Sequence, residues 1–249
     1  MYSLIELKSR HSVRSFSLQQ IPNDVRNQLK AETTDINSHE AGLSFQLCFD
    51  DDAPFRGFIR SYGFFKNARN YLACVIDPSF PHAYERAGYF AEQFVIKAVK
   101  LGLGTCFVGG TFSSSHVNVA TRVYEKLPFI VAFGYPSDIG PSFIARLAVT
   151  ASHRKQLSLR DFFEGTDEEY YHALNTYPWL KDALEGLSCA PSSLNKQPVR
   201  IYLNSDGMIC ARSIPADYKS SIDLGIAKFN FASVALGYWE WGEDAPFFT

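Results

Sequence analysis

Within seven residues, Arg10-His11-Ser12-Val13-Arg14-Ser15-Phe16, the chain gathers two arginines, a histidine and two serines. Arg10, Ser12 and Arg14 combine fixed positive charge with a hydroxyl donor, and the planar fork of arginine is the side chain best matched to phosphate oxygens. The same residues, following a short helix, also suit a solvated surface or a charge match to that helix's C-terminus. A second segment, Ala190-Pro191-Ser192-Ser193-Leu194-Asn195-Lys196-Gln197-Pro198, places serine, asparagine and glutamine groups between two prolines. Uncharged donors and acceptors at this density could read a sugar alcohol, although the same residue types build ordinary turns by bonding their own backbone.

Two further segments could serve the same ligand. In Phe107-Val108-Gly109-Gly110 the paired glycines would let bare backbone N–H groups approach a ligand edge closely; a plain turn reads identically. His153-Arg154-Lys155, after the apolar stretch Phe143 to Val149, could neutralise a phosphate of roughly −1.5 to −2 charge or lie as simple surface charge. Other chemistries lack their signatures. The six histidines include no i, i+4 pair flanking a carboxylate, so no metal site is expected. No G-x-S-x-G elbow, P-loop or dinucleotide fingerprint is present, which disfavours hydrolase, ATPase and Rossmann readings.

The elements that must carry these groups follow from periodicity. Ser3 to Lys8 reads as a short helix, and Ile21-Pro22-Asn23-Asp24 starts another that runs to about Glu32, with proline tolerated and acids favoured in a first turn. Leu43 to Phe49 alternates as a strand, and Tyr71 to Ile76 reads as a more buried one ended by Asp77-Pro78. Gly88 to Leu101 carries Ala91, Phe94, Val95, Ala98 and Leu101 on one face, the pattern of a core helix. Ser113 to about Lys126 is expected to form a short serine-capped helix before the strand Pro128 to Phe133. From Asp161 a helical pattern leads to Trp179–Leu187; Val199–Leu203 and Met208–Arg212 form a hairpin around Asn204-Ser205-Asp206-Gly207. Ile222 to Leu236 is a second amphipathic helix ending at Gly237. Its residues 228–237 align with residues 93–102 so that Phe, Val, Leu and Gly recur at one offset, a pattern of a repeat or of two core helices sharing apolar residues.

The 249 residues can bury a sizeable core, and 46% hydrophobic with 20% charged residues is ordinary for a globular chain. The 21 Phe and 13 Tyr make it rich in aromatics, which suits planar ligands but is first of all core filler. A net charge of −2 without long blocks of one sign argues against a general nucleic-acid or anionic-membrane binder. Five dispersed cysteines, with no C-x-x-C, suggest neither a disulfide framework nor zinc, and fit a reducing cytoplasm. Neither a secretory leader nor a run of about 18 apolar residues is seen, so no membrane span is expected.

Taken in order, the Arg10–Phe16 motif, the Gly88–Gly104 helix, Phe107–Gly110, Leu127-Pro128 to Tyr135-Pro136 and Ala190–Pro198 resemble the nitroreductase family of flavoproteins over most of the chain. The first and last motifs are distinctive as a pair. The resemblance implies an α+β fold, a three-layer sandwich with a central, mostly antiparallel sheet flanked by helices, and FMN as cofactor. It implies that Arg10, His11 and Ser12 bind the phosphate and ribityl chain and that Arg14 approaches the N1/O2 side of the isoalloxazine. Gly109 and Gly110 would offer N–H groups to N5 and O4. Pro191, Ser192, Ser193, Asn195 and Gln197 would form the opposite wall, and Arg154 with Lys155 would complete the phosphate clamp.

In the family the Pro-Ser-x-x-Asn-x-Gln-Pro segment usually follows the Arg-x-Ser segment within a few dozen residues; here it lies far downstream, and Val199 stands where the family usually has tryptophan. The resemblance is therefore to a long single-chain branch, a fused pseudo-dimer with a first half at 1–150 and a second at 151–249, one FMN site per chain, and a monomer in place of an obligate homodimer. The implied activity is a cytoplasmic, NAD(P)H-driven, ping-pong reduction of nitroaromatics, quinones or related small molecules. A flavin carrier or sensor without reductase activity is the alternative.

Overall fold

The computed structural model describes residues 2–56, 64–137 and 157–249. The chain divides into two compact units. One comprises Arg10–Ala83 and Phe94–His153; the other comprises Met1–Ser9, Tyr84–Gln93 and Arg154–Thr249. They are called here the sheet unit and the hairpin unit.

The sheet unit is built on strands β1 (Leu43–Cys48), β2 (Tyr71–Ile76), β3 (Gly104–Val108) and β4 (Lys126–Gly134). They pair antiparallel throughout, in the order β1-β2-β4-β3. β2 is buried at every position, as its unbroken apolar run requires of a central strand. Helix α2 (Asn23–His39) is longer than periodicity alone suggested. Its buried stripe runs Leu29, Thr33, Ile36, and the Thr33 hydroxyl donates to the Leu29 carbonyl at 2.9 Å. A threonine that satisfies itself within the helix takes an apolar position and masks the continuation.

The helix expected from Ser113 to Lys126 does not form; the region holds only a 3₁₀ turn, Ser114–His116. Ser113 spends its hydroxyl on His116 Nδ1 at 2.7 Å. Beyond it, Gln46 clasps Ala120 from both sides, accepting its N–H at 2.9 Å and donating to its carbonyl at 2.6 Å. The Asn118 N–H goes to the Tyr71 hydroxyl at 3.0 Å. Side chains of the strands thus satisfy backbone that a helix would have satisfied itself, in a run of Ser, Val and Asn with little helix preference.

The hairpin unit contains α1 (Leu4–Ser9), α4 (Asp167–Thr176), α5 (Leu180–Ser188), the hairpin β5 (Val199–Leu203) and β6 (Ile209–Ser213), α6 (Tyr218–Ala235), and the short pair β7 (Tyr238–Trp239) and β8 (Phe247–Phe248). Helix α3 (Ala83–Lys100) is shared, its residues 84–93 belonging here. Much of the aromatic surplus is core: Phe231, Trp239 and Phe247 lie within 4.9–5.1 Å of one another, centroid to centroid.

Within this unit α3 and α6 meet backbone to backbone. A Cβ on Gly225 would stand 1.8 Å from the Glu85 carbonyl oxygen, and one on Gly88 would stand 2.1 Å from that of Ile222. Beside this contact, Lys228 Nζ donates to Glu85 Oε1 at 2.6 Å and to the carbonyls of Glu240 and Gly242 at 3.1 and 2.8 Å. The Gly242 N–H returns to Glu85 Oε2 at 2.8 Å. Lys228 is fully buried. Burial pushes its ammonium pKa down against the pull of Glu85, so the ion pair persists only because all of its strong donors are met. Leu236 takes the left-handed cap of α6. Gly237, expected to end the helix, instead permits approach to β8, since a Cβ there would lie 2.0 Å from the Phe248 carbonyl.

Two substitutions test this frame in urea denaturation. Gly225→Ala should lower the unfolding free energy by about 1–3 kcal/mol or more through overpacking. Lys228→Met, which deprives Glu85 of its ammonium partner, should cost about 3–5 kcal/mol.

Candidate functional site

In the sheet unit, the arginine motif runs along the outer edge of β3. Ser12 bridges Thr105 in parallel register, and the Val13 N–H bonds the Thr105 carbonyl at 2.8 Å. Gly104 makes this approach possible, because a Cβ there would meet Val13 Cγ2 at 2.6 Å. The far end of the motif is held by Lys66, whose N–H donates to the Arg14 carbonyl at 2.9 Å and whose carbonyl receives the Phe16 N–H at 2.9 Å. Val13, Ser15 and Phe16 are buried, Arg10 and Arg14 half-buried, His11 and Ser12 exposed. The apolar Val13 and Phe16 thus turn inward together with Ser15, while the arginines, His11 and Ser12 stay nearer the surface.

Arg10, Ser12 and Arg14, at alternate positions of the motif, all act on the buried Cys106 thiol of β3. Burial pushes that thiol's pKa up; the charges of Arg14 and Arg10 and the hydrogen bond of Ser12 pull it down. Two guanidinium groups and a hydroxyl are thus carried alongside β3. Immediately past the end of that strand lie Gly109 and Gly110, both exposed, and a Cβ on either would meet nothing within 4 Å. Neither has a positive φ, so the fold itself asks for glycine at neither position. Phe107 packs on Phe129 at 5.6 Å and Phe112 packs against the sheet core. Arg154 and Lys155 lie outside the described residues.

The Ala190–Pro198 segment belongs to the hairpin unit, between α5 and β5. Leu194, Asn195 and Gln197 all hold left-handed backbone, φ 53°, 52° and 46°. Internal bonds shape the loop: the Gln197 N–H donates to Ser192 Oγ at 2.8 Å, and Gln197 Nε2 to the Ser188 carbonyl at 3.3 Å. Two residues outside it, neither singled out by its sequence motif, also hold it. Arg200 Nη1 donates to the Gln197 carbonyl at 2.8 Å. Asp223, on α6, accepts the Ser193 N–H with both carboxylate oxygens, each at 3.1 Å. Asp223 is only 6% exposed. Burial pushes its pKa up to about 7, opposed by the Ser193 N–H. The available signal was an aspartate between Ile222 and Leu224 in an apolar helix.

No group of His, Cys, Asp and Glu suited to a metal ion occurs among the described residues. None of their helices is long and apolar enough to cross a membrane.

A family model described as "Putative TM nitroreductase" matches residues 3–235. The chain belongs to the nitroreductase family. Membership makes this nitroreductase-family chain an oxidoreductase, as its motifs implied. Among solved structures it is similar to a nitroreductase of Thermotoga maritima, at 20% identity and a TM-score of 0.62, covering 99% of this chain and 92% of that one. That likeness shows the fold. It is also similar to an FMN-dependent nitroreductase of Clostridium difficile (16% identity, TM-score 0.43, 55% of this chain and 90% of that one). A Bacteroides fragilis nitroreductase with bound FMN gives 18% identity and a TM-score of 0.43, over 57% and 92% of the two chains. No curated protein matches.

Two measurements follow from this geometry. Gly109→Ala and Gly110→Ala should leave the unfolding free energy of the ligand-free nitroreductase-family chain within about 0.5 kcal/mol of wild type. For Asp223 the folded pKa lies above the ordinary carboxylate value, so the folded chain holds that proton more tightly than the unfolded one. Its contribution to stability is full below about pH 4, is lost as pH rises to about 7, and is flat above. Urea midpoints of Asp223→Asn should lack that slope.

Proposed function

We propose that this chain binds FMN and uses it to pass electrons from NADH or NADPH to a nitroaromatic, a quinone or a related small acceptor. The observation that carries the reading is the pairing of the Arg10–Phe16 motif along β3, which sets Arg10, Ser12 and Arg14 beside that strand, with the open Gly109-Gly110 backbone beyond its end. Two guanidinium groups and a hydroxyl suit a phosphate dianion, and glycines that internal packing does not require suit the close approach of a flat ring.

Bound FMN supplies the hydride and electron transfer chemistry; the protein orients it and tunes it. Arg10, His11 and Ser12 would hold the phosphate and ribityl chain, with Arg154 and Lys155 adding charge toward the phosphate. Arg14 would offer the cation that favours a reduced, anionic ring, and the Gly109 and Gly110 N–H groups would be its hydrogen-bond donors. Pro191, Ser192, Ser193, Asn195 and Gln197 would be a second set of flavin contacts. No side chain is required as acid or base, because both half-reactions are carried by the cofactor.

The test is an anaerobic titration of the purified, FMN-loaded chain. NADH or NADPH should bleach the flavin, and a nitroaromatic should restore it. The double variant Arg10→Ala/Arg14→Ala should lose several kcal/mol of FMN affinity, at roughly 1.5–3 kcal/mol for each charge-assisted bond; unchanged affinity would sink the site. Bound flavin that no nicotinamide reduces would leave a flavin carrier.

A further inference from the structure

The Ala190–Pro198 loop departs most from relaxed backbone, with three non-glycine residues in the left-handed region. Such residues are strained and persist only where surrounding groups fix them. Its two ends are tied by Ser188, Arg200 and the Ile214 N–H, which bonds the Pro198 carbonyl at 3.0 Å. Its middle is tied to the helices by Asp223, through the Ser193 N–H immediately before the left-handed Leu194-Asn195 pair. Below the loop is a cavity of about 10 Å³ lined by Ser192, Gln197 and Asp223 among apolar side chains, room for a single water with polar partners.

We propose that Asp223 is the positioning residue of this loop in flavin binding: by holding the Ser193 N–H, it fixes the left-handed turn that presents Ser193 and Asn195. The inference rests on the reading that the loop contacts FMN. Ser193 and Asn195 are exposed while their anchor is buried, so the loop's outward face is set from within.

The groups acting on Asp223 are few. Asp217 of its own helix opposes its charge and Lys196 of the loop favours it. Leu187 of α5, Val199 of β5 and Phe162 offer only apolar surface. Above neutral pH the carboxylate accepts the Ser193 N–H with both oxygens. A proton on it removes the charge that makes this bond strong and loosens the turn. Flavin affinity should therefore fall with one proton taken up near neutrality.

The experiment measures FMN dissociation constants by fluorescence quenching from pH 5.5 to 8.5 for wild type, Asp223→Asn and Asp223→Ala, with hydrogen exchange of the loop amides. The flavin phosphate titrates near pH 6 in every case, so the difference between wild type and variant isolates Asp223. At pH 8.5, Asp223→Ala should bind about ten-fold or more weaker, the loss of one charge-assisted bond, with faster exchange at residues 193–197. Asp223→Asn, which keeps an acceptor, should bind between the two and lose the extra pH dependence. Variants that match wild type in affinity, profile and exchange overturn the role of Asp223 alone. A wild type that binds no FMN overturns the flavin reading instead, whatever the exchange data show. Should Asp223→Ala fail to fold, the asparagine profile decides: flat beyond the phosphate titration supports the role, and wild-type-like overturns it.

Discussion

Two glycines let the backbones of α3 and α6 touch, and much of the hairpin unit is arranged around that contact. With side chains at Gly88 and Gly225 the helices could not approach to the distance at which Lys228 reaches Glu85. Without Lys228, the carbonyls of Glu240 and Gly242 would lose their donor and the β7–β8 segment its clasp on α6. Close packing here is a condition for the polar network, and the network in turn makes the burial of a lysine tolerable. The same helix offers another face to the Ala190–Pro198 loop through Asp223.

The sheet unit solves a different problem with equal economy. β3 is a sheet edge with unpaired backbone groups, which folded proteins usually cover. The Arg10–Phe16 motif supplies the cover and, in the same stroke, carries its arginines to the strand's side. Positioning of charge and protection of an edge are here one structural act.

Legibility in the sequence followed the range of the interactions. Strand β2, the β5–β6 hairpin and the core face of α3 were plain, because their apolar residues recur at local spacings, whereas α6, read as amphipathic, is buried at every position from Asp223 to Ala232. α2 ran past its expected end because Thr33 occupies its buried stripe. The Ser113–Lys126 segment misled because its backbone is satisfied by Gln46 and Tyr71, distant in sequence. The Lys228–Glu85 pair spans 143 residues and leaves no periodic trace. The arginine motif was readable as residue types, but its placement along β3 belongs to strand pairing. Arg154 and Lys155 lie outside the described residues.

The Ser12–Thr105 bridge has a consequence for how this segment tolerates change. Around the bridge Ser12 faces out, Val13 in and Arg14 partly out, and Val13 packs where a side chain on Gly104 would collide with it. Exchanging one outward residue for another alters only what the edge displays. Adding or deleting a single residue between α1 and Phe16 would invert the alternation, sending an arginine inward and a valine outward. For this stretch it is length, more than composition, that the fold holds constant.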